Sequence, residues 1–203
     1  MAPWRVPRRR FLRMKAPSFS GDSLIYVGFW PRLAASLLDF AVLAPYALLA
    51  MRLASISPLG FVTTQVIGTV LAVVFDIVLV KLFGGSPGKL IMKMRIAKLD
   101  GSRVGYREAW LRYSVLGVIS ILASVALSTS ALKMSDTDFV ALTNKTRGTR
   151  LRELAPPWYQ PLEIAGQVWV GSEFVVLLTN RKRRALHDYL AGTVVIRRIG
   201  KQQ

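Results

Sequence analysis

The sequence contains no cysteine. That excludes disulfide, thiolate and iron–sulfur chemistry. It holds one histidine, His187, which cannot build a histidine-rich zinc site. Acidic residues are scarce: 11 Asp and Glu stand against 28 Lys and Arg, a formal net charge of +17. Charged residues of all kinds reach only 19% and hydrophobic residues 52%, against about 25% and 45–50% in soluble domains. No arrangement of serine or histidine supports nucleophilic catalysis, so no catalytic residue and no cofactor are assigned. What remains is a membrane composition.

A large positive charge first suggests nucleic acid, but its distribution argues otherwise. Twenty-one of the 28 basic residues fall in three blocks, within 1–28, 81–112 and 181–203. Each block abuts the end of an apolar stretch, the pattern that the positive-inside rule produces. Topology thus explains the charge without a nucleic-acid partner. Such blocks also attract anionic lipid headgroups, at about 1 kcal/mol per residue near the surface. Arg8-Arg9-Arg10-Phe11-Leu12-Arg13 looks like a twin-arginine export signal, but residues 16–28 are too polar and too short to serve as its apolar run. The segment reads as a basic cytoplasmic tail, 1–28.

Apolar stretches predict an all-α membrane protein, a four-transmembrane-helix bundle with a small cytoplasmic β element. The helices are expected at about 29–50, 61–83, 113–132 and 163–178 within a membrane domain, 29–178. Pro58-Leu59-Gly60 reads as a short outer turn. Residues 84–112 read as a cytoplasmic segment, 133–162 as an outer loop and 179–203 as a second basic tail. Met92, Met94 and Ile96 alternate with Lys93 and Arg95 before the Asp100-Gly101 turn, which predicts a strand. The β-branched run Thr193–Ile199 is its expected partner. Only an even number of spans puts all three basic blocks on one side, so both termini are expected in the cytoplasm of a bacterial-type plasma (inner) membrane.

The spans carry charges that lipid does not tolerate. A charge at mid-membrane costs about 2.5–3.5 kcal/mol on insertion scales. Arg32 and Asp39 fall in the first span, Asp76 and Lys81 in the second and Glu173 in the fourth. Asp39, Asp76 and Glu173 each lie seven residues from the inner lip, roughly 10 Å deep. Arg32 lies two turns from Asp39 on one face. One reading is an ionic clasp, Arg32–Asp39–Asp76, that fixes the bundle. The other is that surplus carboxylate carries protons or cations. Gly117, Ser120, Ser124 and Ser128 form a small-residue face suited to close helix packing. Gly88-Lys89 lacks the glycine and hydroxyl positions of a phosphate loop. A tight turn through Gly85, Pro87, Gly88 and Lys89, with Lys89 at lipid headgroups, is the simpler reading. His187-Asp188 reads as a turn or interfacial contact at the inner face.

These residues resemble the RDD family, named for one arginine and two aspartates in its first helices. Gly28-Phe29-Trp30-Pro31-Arg32-Leu33-Ala34-Ala35 followed by Asp39 carries the first match. The second aspartate corresponds to Asp76 or to a neighbour of Asp39 on the same helix. Gly84-Gly85-Ser86-Pro87-Gly88-Lys89 is similar to the family's Gly-x-(Ser/Thr)-Pro-Gly-Lys turn. Leu186-His187-Asp188-Tyr189-Leu190-Ala191-Gly192-Thr193 is similar to its Leu-His-Asp-x-x-Ala-Gly-Thr ending. The resemblance implies transport of an unidentified ligand, cation/proton exchange, or service as an accessory subunit of a larger assembly. Two functions are therefore expected. One is an antiporter, or a small-ligand transporter, in which Asp39 and Asp76 hold a proton or monovalent cation, Arg32 tunes them and Glu173 is a third ligand. Four helices are few for alternating access, so it would work as a homo-oligomer. The other is a non-catalytic scaffold that docks a membrane partner protein.

Overall fold

A computed structural model describes residues 25–180 and 182–197. Most of the first basic block, together with Arg181, Arg198, Ile199 and Lys201, lies outside the described residues. Four helices are long and apolar enough to cross a membrane: Phe29–Leu53, Pro58–Ile91, Tyr106–Leu132 and Tyr159–Thr179. At most 22% of any span's apolar window is buried inside the protein. The remaining apolar surface therefore faces lipid, since water would not tolerate so much of it.

Helix α1 (Phe29–Leu53) carries Pro45 within it. Helix α2 (Pro58–Val73) starts three residues earlier than expected, so Pro58-Leu59-Gly60 is its first turn rather than an outer loop. The reason is a capping signal: the Ser57 hydroxyl accepts the Gly60 N–H at 3.0 Å, and Pro58 needs no partner at the first helical position. The chain then widens into a π-helical segment, Val74–Val78, and tightens again as α3 (Leu79–Phe83). Such widened turns are rare and concentrate at functional sites; this one carries Asp76.

Gly84 ends α3 in the left-handed region, φ +85°. A short helix α4 (Pro87–Ile91) follows and packs against α1. Gly88 makes that approach feasible, because a Cβ there would collide with the Ala35 backbone carbonyl. Strands β1 (Met94–Lys98) and β2 (Thr193–Arg197) pair antiparallel, Met94 opposite Arg197 and Lys98 opposite Thr193. Tyr26 bridges to Ile196, so the entry to α1 lies along the same sheet. Both ends of the described chain thus meet at one end of the bundle.

Helix α5 (Tyr106–Ala131) begins seven residues before the expected third span. The Glu108 carboxylate accepts the Gly105 N–H at 2.6 Å and holds the start of the helix. Residues 106–112 are therefore helix, not surface segment, and Arg112 points from its second turn. The expected outer loop contains two helices, α6 (Asp136–Ala141) and α7 (Asn144–Glu153). They are joined by Arg147, which donates to Phe139 O, Leu142 O and Asn144 Oδ1 while stacking on the Phe139 ring. Phe139 and Leu151 bury against Ala131, with Phe61 packed beside them. Helix α8 (Tyr159–Thr179) forms the fourth span and α9 (Leu186–Ala191) returns the chain to β2. The main core lies at the sheet end, where Val27, Ala35, Ile77, Val80, Met94, Ile96 and Tyr113 meet.

Candidate functional site

Two charged groupings occupy the sheet end of the bundle. The first centres on Asp188, in the first turn of α9 and wholly buried. Its Oδ2 accepts from Arg32 Nη1 at 2.7 Å and from the Ala185 N–H at 3.0 Å. Its Oδ1 accepts from Arg112 Nη1 and from the Thr193 hydroxyl. Four donors thus fill the four acceptor directions of one carboxylate. Burial alone would raise this carboxyl, but the guanidiniums of Arg112 and Arg32 outweigh it and hold it well below the usual carboxylate range. Arg184 braces the same turn, donating to Asp188 O at 2.8 Å and to Thr193 O at 3.0 Å.

Arg32 does not join Asp39. Its three nitrogens donate to Val27 O, Asp188 and Arg183 O. The expected Arg32–Asp39–Asp76 clasp is absent from these contacts. The guanidinium extends toward the sheet end, where α9 supplies a carboxylate already surrounded by donors. Asp39 instead closes the turn after α3. Its Oδ2 accepts the Ser86 hydroxyl at 2.5 Å and its Oδ1 accepts the Gly88 N–H at 2.7 Å. The segment read as a plain turn is thus a capped helix held to α1, with Gly85 buried beneath it. Lys89 does not reach outward to headgroups: its Nζ donates to Ser86 Oγ at 3.1 Å, and the side chain lines an internal cavity.

That cavity is the second grouping. It has a volume of about 260 Å³ and lies between α1, the π-helical segment, α5 and α8. Asp76, Lys89, Arg112, Glu173 and His187 line it, and Phe29 and Phe174 meet edge to face at 5.7 Å at its wall. Glu173 and His187 are linked through Nδ1 at 2.6 Å. Arg112 Nη2 lies 2.9 Å from His187 Nε2. A guanidinium only donates, so Nε2 accepts and Nδ1 carries the proton toward Glu173. His187 and Asp188 sit in the first turn of α9, and their side chains point to different partners, one into the cavity and one into the buried hub.

Asp76 differs from its neighbours. Asp39, Glu173 and Asp188 each accept a hydrogen bond. Asp76 has no hydrogen bond or ion pair among the described residues, though Lys89, Arg112, His187 and Asp39 all lie within electrostatic range. Asp76 is exposed, and it lines the cavity. Among the described residues no group of three His, Asp or Glu side chains forms a metal-ligand set. Sequence reasoning missed Arg112, Arg184, Ser86 and Thr193. A signal for Arg112 was present: Gly105 followed three residues later by Glu108 marks a helix start that puts Arg112 inside the span.

No curated protein and no solved structure matches the chain. The family model of the RDD family matches residues 26–192, which takes in both charged groupings. With four spans, the arginine and aspartates of its first two helices and this match over most of its length, the chain is a multi-pass membrane protein that belongs to the RDD family.

Proposed function

We propose that the protein exchanges a monovalent cation for a proton at Asp76. The observation that carries this reading is a carboxylate with no hydrogen bond or ion pair among the described residues, on a π-helical turn, facing a partly open cavity. An ionised carboxylate inside a membrane span is costly unless something neutralises it. A proton and a monovalent cation both do so, and they compete for the same oxygens. The cavity of about 260 Å³ exceeds the ~30 Å³ that one water occupies in the liquid, so an ion fits with part of its hydration. Lys89 stands in range as a resident positive charge and limits how tightly a cation is held. Glu173 and His187 offer a hydrogen-bonded route by which a proton reaches the cavity wall.

Orientation follows from charge. Lys81, Lys93, Arg95, Lys98, Arg103 and Arg107 all flank the sheet end, so the positive-inside rule places that end in the cytoplasm. Both termini are then cytoplasmic and the cavity opens from the inner leaflet of a bacterial-type plasma membrane. A homo-oligomer supplies the second surface that a four-helix unit needs for alternating access.

A scaffold role is favoured by a different observation. Arg32, Arg112, Asp39 and Asp188 spend their charges on fixed internal contacts that join α1, α4, α5 and α9. Inside-out vesicles carrying a proton gradient separate the two readings. Adding Na⁺, Li⁺ or K⁺ in turn collapses the gradient for the exchanger, and Asp76→Asn at matched abundance abolishes the effect. A gradient that no cation collapses, with intact protein present, leaves the scaffold reading ahead.

A further inference from the structure

Lys89 sits between two carboxylates and bonds directly to neither. It belongs to α4 and lines the same cavity as Asp76. Both Asp76 and Asp39 lie within its electrostatic range. Its Nζ donates to the Ser86 hydroxyl oxygen at 3.1 Å, and it makes no ion pair among the described residues. Ser86 is buried and passes the contact on, donating to Asp39 Oδ2 at 2.5 Å. The other Asp39 oxygen accepts the Gly88 N–H at 2.7 Å. Asp39 is thereby fixed, and the ammonium rests one hydroxyl away from it. The other charges of the lining are committed. Arg112 bonds Asp188, Thr193 and His187. Arg32 bonds Val27 O, Asp188 and Arg183 O. Glu173 is linked to His187. Among the described residues, Lys89 and Asp76 are thus the two lining charges without a charged partner in direct contact.

We propose that Lys89 is the internal counter-ion of Asp76, pairing with it when the site is empty and retreating to Ser86 when an ion is bound. The inference rests on ion exchange at Asp76. An exchanger passes through a state in which one ion has left and the next has not arrived. In that state the carboxylate stands charged in the membrane layer, which is costly unless a cation neutralises it. A lysine ammonium suits the task, as a point charge with three rotatable donors on a flexible four-carbon stem. The committed guanidiniums of Arg32 and Arg112 do not have that freedom. An ammonium and a monovalent cation carry the same charge, so each weakens the hold of Asp76 on the other. The Ser86 hydroxyl, backed by the Asp39 charge, gives the ammonium its second seat. Lys89 therefore lowers the affinity for the cation and speeds its release.

The test follows proton release from the purified full-length protein in weakly buffered detergent while Na⁺, Li⁺ or K⁺ is titrated. Lys89→Gln is expected to lower the half-saturating cation concentration about tenfold. A lysine that only held α4 in place would, on removal, weaken binding instead of tightening it. Lys93→Gln, at an exposed residue outside the lining, is expected to change nothing. A second readout needs no variant: acetylation of Lys89 in the wild-type protein, measured by peptide mass spectrometry. Saturating cation is expected to raise Lys89 labelling relative to Lys93, because the ammonium no longer pairs with Asp76. An unchanged or higher half-saturating concentration in a folded Lys89→Gln protein overturns this inference alone, since release from the wild type still marks Asp76 as the exchange site. An equal shift in Lys93→Gln, or Lys89 labelling that ignores the cation, does the same. No release from the wild type with any of the three cations overturns the exchange reading and this inference together.

Discussion

Arg32 illustrates how much one side chain can hold when its donors are planar and fixed. It reaches the entry segment at Val27, the loop after α8 at Arg183 and the hub at Asp188. Lysine keeps the charge but cannot address three acceptors in that geometry. Arg32→Lys is therefore expected to lower abundance and thermal stability nearly as far as Arg32→Ala. Rescue by lysine would mean that charge alone matters. Asp188→Asn leaves two buried arginines without their carboxylate, which costs about 3–5 kcal/mol in comparable buried pairs. The pH dependence carries a definite sign. The Asp188 carboxyl is lowered in the folded protein. Its contribution is thus complete above the unfolded value of about 3.9 and is lost as pH falls through the lower folded value. The stability gap between wild type and Asp188→Asn should stay constant from about pH 8 to about pH 5 in thermal melts. A gap that narrows near neutrality would contradict this assignment.

At the scale of elements, the contact between α4 and α1 rests on Gly88. The Gly88 N–H bonds Asp39, and its missing side chain leaves room for the Ala35 carbonyl. Gly88→Ala should separate the two helices and expose the chain to proteolysis between residues 84 and 92. Asp39→Asn keeps the shape but weakens both bonds, so its loss should be smaller, about 1–2 kcal/mol. Equal protease resistance of Gly88→Ala and wild type would refute the close approach. The four spans and the β pairing were legible because apolar runs of membrane length and alternation at period two are strong local signals. The starts of α2 and α5 were not, since capping by Ser57 and Glu108 extends a helix beyond its apolar run. The partner of Arg32 was hidden for another reason. Asp188 lies 156 positions away, and nothing local marks such a pairing. Asp39 illustrates the opposite error: helical spacing placed it near Arg32, but the backbone N–H of Gly88 and the Ser86 hydroxyl compete for it and win.

For the whole molecule, the sheet end holds the main core and the densest polar contacts, and the cavity lies beside them. Asp188 ties α1, α5 and α9 together, the β1–β2 sheet ties both ends of the described chain, and among the described residues Asp76 alone of the carboxylates of the spans and α9 has no direct partner. On the proposed reading, that asymmetry separates the carboxylates that hold the fold from the one that takes the ion. It predicts that Asp76→Asn keeps wild-type stability, while Asp188→Asn is destabilised. The most direct measurement is proton release from purified protein in weakly buffered detergent solution on addition of Na⁺, Li⁺ or K⁺, followed with a pH-sensitive dye. Binding at Asp76 predicts release of up to about one proton per chain with at least one of these cations and none from a folded Asp76→Asn variant. Release that persists unchanged in Asp76→Asn, or no release from the wild-type protein with any of the three, would contradict it.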